Sequence, residues 1–255
     1  MTHGLVFTAL GLLVGFLVGM TGVGGGSLMT PLLIFFCGFK PQLAVGTDLF
    51  YAALTKLAGT MLNRHMGTID WKIVGLLLTG SIPASLGCLI FLHHFSAEPL
   101  SSHLTHIVLG CALLMTAPAV IFRPQLHQWA HRHTVEGSRK VLFLTWLLGF
   151  ALGAMVTLSS VGAGAIGMAA LLILYPALPM RVLVATDIAH AVPLTLVAGG
   201  GHWFEGSVDI RVLLFMLSGS IPGIVLGTLC AGRLNECFQR WFMGILLLII
   251  GLRMI

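Results

Sequence analysis

Apolar residues in this chain run in long blocks joined by short polar stretches, with no alternation in twos. The blocks fall at roughly 4–20, 26–39, 42–62, 71–93, 102–122, 140–157, 162–176, 179–200, 210–231 and 238–254. A helix needs about 20 apolar residues to cross about 30 Å of hydrocarbon. The lack of a period-2 pattern argues against a membrane barrel, so the spans are expected to be helical. The second and seventh blocks are short, at about 14 residues or about 21 Å of helix. They are expected to be half-helices or tilted members of a re-entrant pair. The pattern therefore predicts an all-α polytopic membrane protein of about ten segments, some of them broken or short.

Composition agrees. Of the 255 residues, 57% are hydrophobic and 8% charged, where soluble domains carry about 25% charged residues. Gly4 to Met20 has neither a basic leader nor a small-residue cleavage site, so it reads as mature structure. The five cysteines, Cys37, Cys88, Cys111, Cys230 and Cys237, form no C-x-x-C pair and lie mostly in apolar runs.

The net charge of +5 is no nucleic-acid footprint, because the basic residues gather at span ends. Arg123 to Lys140 is the longest polar connection and holds four of them, which places residues 123–139 in the cytoplasm as a linker. Counting outward puts nine basic residues inside and three outside (Lys40, Arg211 and Arg253). Both termini then face away from the cytoplasm of a bacterial inner (plasma) membrane. Residues 1–122 and 140–255 become the two membrane units.

These units repeat. Ala44 to Leu49 (AVGTDL) recurs as Leu183 to Ile188 (LVATDI), GTID at Gly67 as GSVD at Gly206, and GSIP at Gly80 as GSIP at Gly219. All three matches share an offset of 139 residues. GFLVG at Gly15 also pairs with GFALG at Gly149, and VGGG at Val23 with VGAG at Val161. Five segments per copy is an odd number, so the second copy enters the membrane inverted. Inverted repeats with interrupted helices point to a secondary transporter working by alternating access.

Glycine weakens a helix by roughly 1 kcal/mol per residue, so Gly22, Gly24, Gly25 and Gly26 make a poor ordinary span. A backbone break inside a membrane is tolerated only where it lines a cavity or is covered by protein. The helix that follows starts with bare N–H groups and partial positive charge, which suits an anion. Candidate binding residues are Gly22, Gly24, Gly25, Gly26 and Ser27 in the first copy. In the second they are Thr157, Ser159, Ser160, Gly162 and Gly164. The competing reading is small-residue helix packing, as at Gly15 and Gly19.

The GVGGGSLMTPLL run, followed by AVGTDL, a G-x-x-D and a glycine-rich fourth span, resembles the sulfite exporter TauE/SafE family, also called the 4-toluene sulfonate uptake permease family. The resemblance covers essentially the whole chain. It implies a small transporter of sulfur-containing anions such as sulfite, thiosulfate, sulfonates or sulfoacetate. Ser159 and Ser160 stand where the commoner pattern has more glycine.

Charged groups within the spans are functional candidates. Asp48 and Asp187 occupy matching places, preceded by Thr47 and Thr186. They either stabilise the broken helices or carry a coupling proton. Lys56, two turns beyond Asp48, either attracts the anion or snorkels to the cytoplasmic end. His190, one turn after Asp187, either contacts it or is a satisfied interior histidine. The clusters His127, His131, His133 and His93, His94, His103, His106 lack completing ligands, so no metal or other cofactor is expected. No G-x-S-x-G, H-E-x-x-H or P-loop is present, which disfavours an enzyme. A divalent-metal permease and a membrane scaffold or signalling protein stay open as alternatives. Expected partners are a small anion, the bilayer and a proton as coupling ion, with no nucleic acid.

Overall fold

The computed structural model describes residues 2–21, 26–65, 67–94, 98–132, 138–231 and 236–254. Among these there are eleven helices and no strand. In the first unit they are α1 (Thr2–Thr21), α2 (Gly26–Cys37), α3 (Pro41–His65), α4 (Trp71–His94) and α5 (Glu98–Ile121). The linker holds α6 (Arg123–Arg132). The second unit holds α7 (Ser138–Ser159), α8 (Ile166–Leu174), α9 (Met180–Phe204), α10 (Ile210–Ala231) and α11 (Glu236–Met254). Each apolar block thus becomes one helix. The addition is α6, in a stretch read from the sequence only as a polar connection. Pro124 in its first turn suits a helix start, where a missing N–H goes unused.

Among the described residues, five helices are long and apolar enough to cross a membrane: Trp71–His94, Arg139–Ser159, Met180–Phe204, Ile210–Gly227 and Cys237–Met254. Large apolar side chains such as Phe143, Phe150, Leu214, Ile221, Ile249 and Leu252 point outward. In water that surface would drive aggregation; in a bilayer it meets its own solvent. Two of the helices formed by the apolar blocks are short: α2, with 12 residues, and α8, with 9. At 1.5 Å per residue they reach about 18 and 14 Å, well short of a crossing.

Helices from the two units interlock. α1 packs on α10, α7 on α4, α5 on α11 and α3 on α9. The first two contacts are built on glycine. A methyl added at Gly11, Gly15 or Gly19 would strike the carbonyls of Met216, Ser220 or Ile224. One added at Gly219, Gly223 or Gly227 would strike those of Thr8, Leu12 or Phe16. Gly149 and Gly153 meet Leu77 and Ser81 in the same way, and Gly80 meets Trp146. Small residues every fourth position let backbones approach where lipid offers no hydrophobic driving force.

α3 and α9 lie antiparallel: Gly46 is beside His202 and Ser207, Gly199 beside Leu49 and Phe50, and Gly59 beside Ile188. The 139-residue offset recurs in their hydrogen bonds. The Asp70 amide donates to Thr186 Oγ1 at 3.0 Å, and the Asp209 amide to Thr47 Oγ1 at 3.1 Å. Asp70 Oδ1 accepts from the amides of Lys72 and Ile73, and Asp209 Oδ1 from those of Arg211 and Val212. The repeated G-x-x-D is therefore an N-cap for α4 and α10, occupying orphan donors at each helix start. The threonine before each buried aspartate fixes the opposite unit's cap.

Candidate functional site

Among the described residues, the buried Asp, Lys and His side chains all lie on the α3–α9 pair. Asp48 is fully buried, Asp187 is 2% exposed and Lys56 is 8% exposed. Thr30 on α2 donates from Oγ1 to Asp48 Oδ2 at 2.5 Å. Asp187 Oδ1 lies against Gly167, in the first turn of α8, where a Cβ would collide with it. Each aspartate thus sits beside the short helix of its own unit. The second oxygen of Asp48 (Oδ1), Asp187 Oδ1 and Ser160 Oγ are buried with no hydrogen-bond partner among the described residues.

Lys56 lies within electrostatic reach of both aspartates. The antiparallel register places it between the Phe50–Gly199 and Gly59–Ile188 contacts of α3 with α9. Its Nζ donates to the Ala163 carbonyl at 2.7 Å. The snorkelling alternative thus gives way to an ammonium held inside the bundle. The equivalent position in the second unit is Thr195, whose hydroxyl bonds only to the carbonyls of Ala191 and Val192 on its own helix.

The carbonyl that holds Lys56 belongs to a backbone break. α7 ends at Ser159 and α8 starts at Ile166. Between them Ser160, Gly162 and Gly164 have φ of 57°, 119° and 136°. The last two values suit only glycine, and Ser160 occupies the small left-handed region. Val161 N is satisfied by Ser159 Oγ at 3.2 Å, and Gly167 N by the Gly162 carbonyl at 3.1 Å. The amides of Ala163, Gly164, Ala165 and Ile166 have no hydrogen-bond partner among the described residues. These four residues are half-buried, while Ser159 to Gly162 and Gly167 to Ala169 are buried. A row of donor N–H groups is therefore open beside an ammonium, at the positive end of a helix.

The other candidates take up different duties. Thr157 Oγ1 lies 2.7 Å from both Ser85 Oγ and the Gly153 carbonyl, and Ser159 Oγ donates to the Met155 carbonyl at 2.7 Å. Their hydroxyls are thus already engaged, whereas Ser160 Oγ, within reach of the Asp48 carboxylate, makes no close hydrogen bond. Thr47 and Thr186 serve the caps described above. His190 turns to Ser81, sharing a 3.0 Å hydrogen bond through Nε2, and no bond joins it to Asp187. In the first-unit break Gly22, Gly24 and Gly25 lie outside the described residues, as does the side chain of Ser27. Gly26 opens α2. His133 and the side chains of His103, His127 and His131 also lie outside the described residues. Among those described, no group of three or more His, Cys, Asp or Glu is placed to hold a metal ion.

Three residues escaped the sequence reading. Tyr51, 139 residues before His190, shares a hydrogen bond with Ser220, 139 residues after Ser81. The two GSIP serines thus receive matching side chains from α3 and α9. Extending the offset past AVGTDL would have paired Tyr51 with His190, but only the fold shows what they touch. The third is His202, 2% exposed, whose Nε2 lies 3.0 Å from the Thr157 carbonyl.

The family described as Sulfite exporter TauE/SafE matches residues 7–254. The chain is similar to the probable membrane transporter protein YjnA of Bacillus subtilis (strain 168). The two are 37% identical, over 96% of this chain and 97% of that one. It is also similar to YunE of the same strain, another probable membrane transporter protein, at 24% identity over 98% of this chain and 96% of that one. YdhB of that strain, named likewise, is 28% identical over 84% of this chain and 85% of that one. No solved structure matches.

Proposed function

Because the chain belongs to the sulfite exporter TauE/SafE family of membrane transporters, we propose that it carries a small sulfur-containing oxyanion of the sulfite, thiosulfate, sulfonate or sulfoacetate kind across a bacterial inner membrane. The observation that carries this reading is the break at Ser160–Ala165. Its open amides, the Lys56 ammonium and the Ser160 hydroxyl are all donors, and an oxyanion can use every one of them. An arriving anion takes Lys56 from the Ala163 carbonyl and binds the amides of Ala163 to Ile166.

Charge balance adds a proton to the cycle. With Asp48 and Asp187 ionised, the Lys56 ammonium and the Arg123 guanidinium, which is within electrostatic reach of Asp187, balance them, so a bound anion leaves the cluster one charge negative. A proton on one aspartate removes that charge, which makes proton coupling the natural partner of anion binding. α3 and α9, with the short helices beside them, would rock against the glycine-packed pairs α1–α10 and α4–α7.

Uptake of radiolabelled sulfite, thiosulfate and a sulfonate into proteoliposomes, with and without a pH gradient, tests this. Accumulation of at least one anion that rises with an inward proton gradient supports the reading. Transport of a divalent cation and of none of these anions would overturn it.

A further inference from the structure

The two ends of the α3–α9 pair are built from matching positions and are buried to different degrees. At the end near Arg64, Lys72 and Arg181 there is a cavity of about 340 Å³ lined by Asn63, Thr68, Met180, Arg181 and Val184. Arg181 is exposed there, and Asn63 and Val184 are half-buried. The offset of 139 maps these five residues onto His202, Ser207, Pro41, Gln42 and Val45 at the other end. There Pro41 is buried, Val45 is fully buried and His202 is 2% exposed, while Gln42 and Ser207 are half-buried.

Three contacts close that second end. Gly46 lies so near the Ser207 carbonyl and His202 Cβ that an added methyl would collide with both. Its counterpart Ala185, beside the cavity, carries the methyl that Gly46 cannot. The Thr157 carbonyl can only accept, so His202 Nε2 donates to it at 3.0 Å and ties α9 to the end of α7. Thr157 Oγ1, 2.7 Å from Ser85 Oγ, extends the tie to α4. The counterpart of His202 is Asn63, whose Nδ2 donates to the Gly59 carbonyl on its own helix and ties nothing across.

We propose that the cavity at Asn63–Arg181 is the vestibule through which the anion reaches the break, and that His202 is the latch that shuts the opposite mouth in this conformer. Arg181 supplies the cation that draws an anion into the vestibule. By the positive-inside rule this mouth faces the cytoplasm. The alternate conformer breaks the His202–Thr157 bond and closes Asn63, Val184 and their neighbours as Val45 and Pro41 are closed here. The inference rests on the alternating-access reading above.

Thiol labelling tests it without measuring transport. In a variant whose five native cysteines are replaced by alanine, Val184→Cys and Val45→Cys are compared with a hydrophilic maleimide in reconstituted protein. Accessibility through a minor conformer scales with its population, so Val184→Cys should react at least about tenfold faster. Adding His202→Ala should speed labelling of Val45→Cys. His202→Gln, which keeps a side-chain N–H donor, should restore much of the protection. Equal rates at the two cysteines, or faster labelling of Val45→Cys, would overturn the vestibule assignment. Unchanged protection of Val45→Cys in His202→Ala would overturn the latch. Where a variant aggregates, Met180→Cys and Pro41→Cys, half-buried and buried and matched at the same offset, give the same comparison. A labelling pattern as expected with no sulfur anion transported would retain the gate and reject the substrate.

Discussion

α3 and α9 are the same helix twice, and the places where they agree differ in kind from the places where they do not. Both carry a buried aspartate after a threonine, and both send a side chain to a GSIP serine of the opposite unit (Tyr51 to Ser220 and His190 to Ser81). The agreeing positions hold the bundle together. At Lys56 against Thr195 the two helices part: one places an ammonium on the Ala163 carbonyl, and the other returns a hydroxyl to its own backbone. A duplicated scaffold can keep its ties in pairs, whereas a single small solute needs one cation. On the proposed reading, Lys56 is therefore the asymmetric residue that meets the solute, while the asymmetry of His202 against Asn63 serves the gate.

The largest effect expected from breaking the symmetric part is loss of the fold. Gly80→Val and Gly219→Val each push a side chain into a facing backbone. Both should leave little monodisperse protein by gel filtration, and equally so. Next in size is the asymmetric residue. Lys56→Met should reduce anion uptake to the background of empty vesicles while insertion survives, whereas Thr195→Val should keep most of the wild-type rate. A smaller effect is expected at the serines. Ser81→Ala and Ser220→Ala each remove the partner of a buried ring nitrogen or hydroxyl, at a cost of about 1–3 kcal/mol each. Thermal unfolding should show similar losses for the two. Smallest are the caps: Asp70→Ala and Asp209→Ala should each cost about 1 kcal/mol, additively in the double variant. A large inequality within either matched pair would mean that the shared residues are not merely structural.

Much of the scaffold was legible in the sequence because lipid restricts it so strongly. Apolar blocks gave ten of the helices, and the short second and seventh blocks became α2 and α8. Gly15 and Gly19 were recognisable as packing residues from their spacing alone. The caps at Asp70 and Asp209 appeared only as a repeated G-x-x-D, since the threonine that receives each cap amide comes from the opposite unit. Nor could spacing show that the hydroxyls of Thr157 and Ser159 turn back to neighbouring helix groups while that of Ser160 turns toward Asp48, because a one-residue step around a helix end decides it. His202 was hidden for a similar reason: its partner is a main-chain carbonyl 45 residues away, which leaves no mark on residue type.

The account depends most on the break between α7 and α8 being where the anion rests. A map of the protein with sulfite or thiosulfate bound tests this directly. Density is expected within hydrogen-bond distance of the amides of Ala163 to Ile166, with Lys56 Nζ moved from the Ala163 carbonyl onto the ligand. Density for the anion elsewhere, with Lys56 still on Ala163, would contradict it.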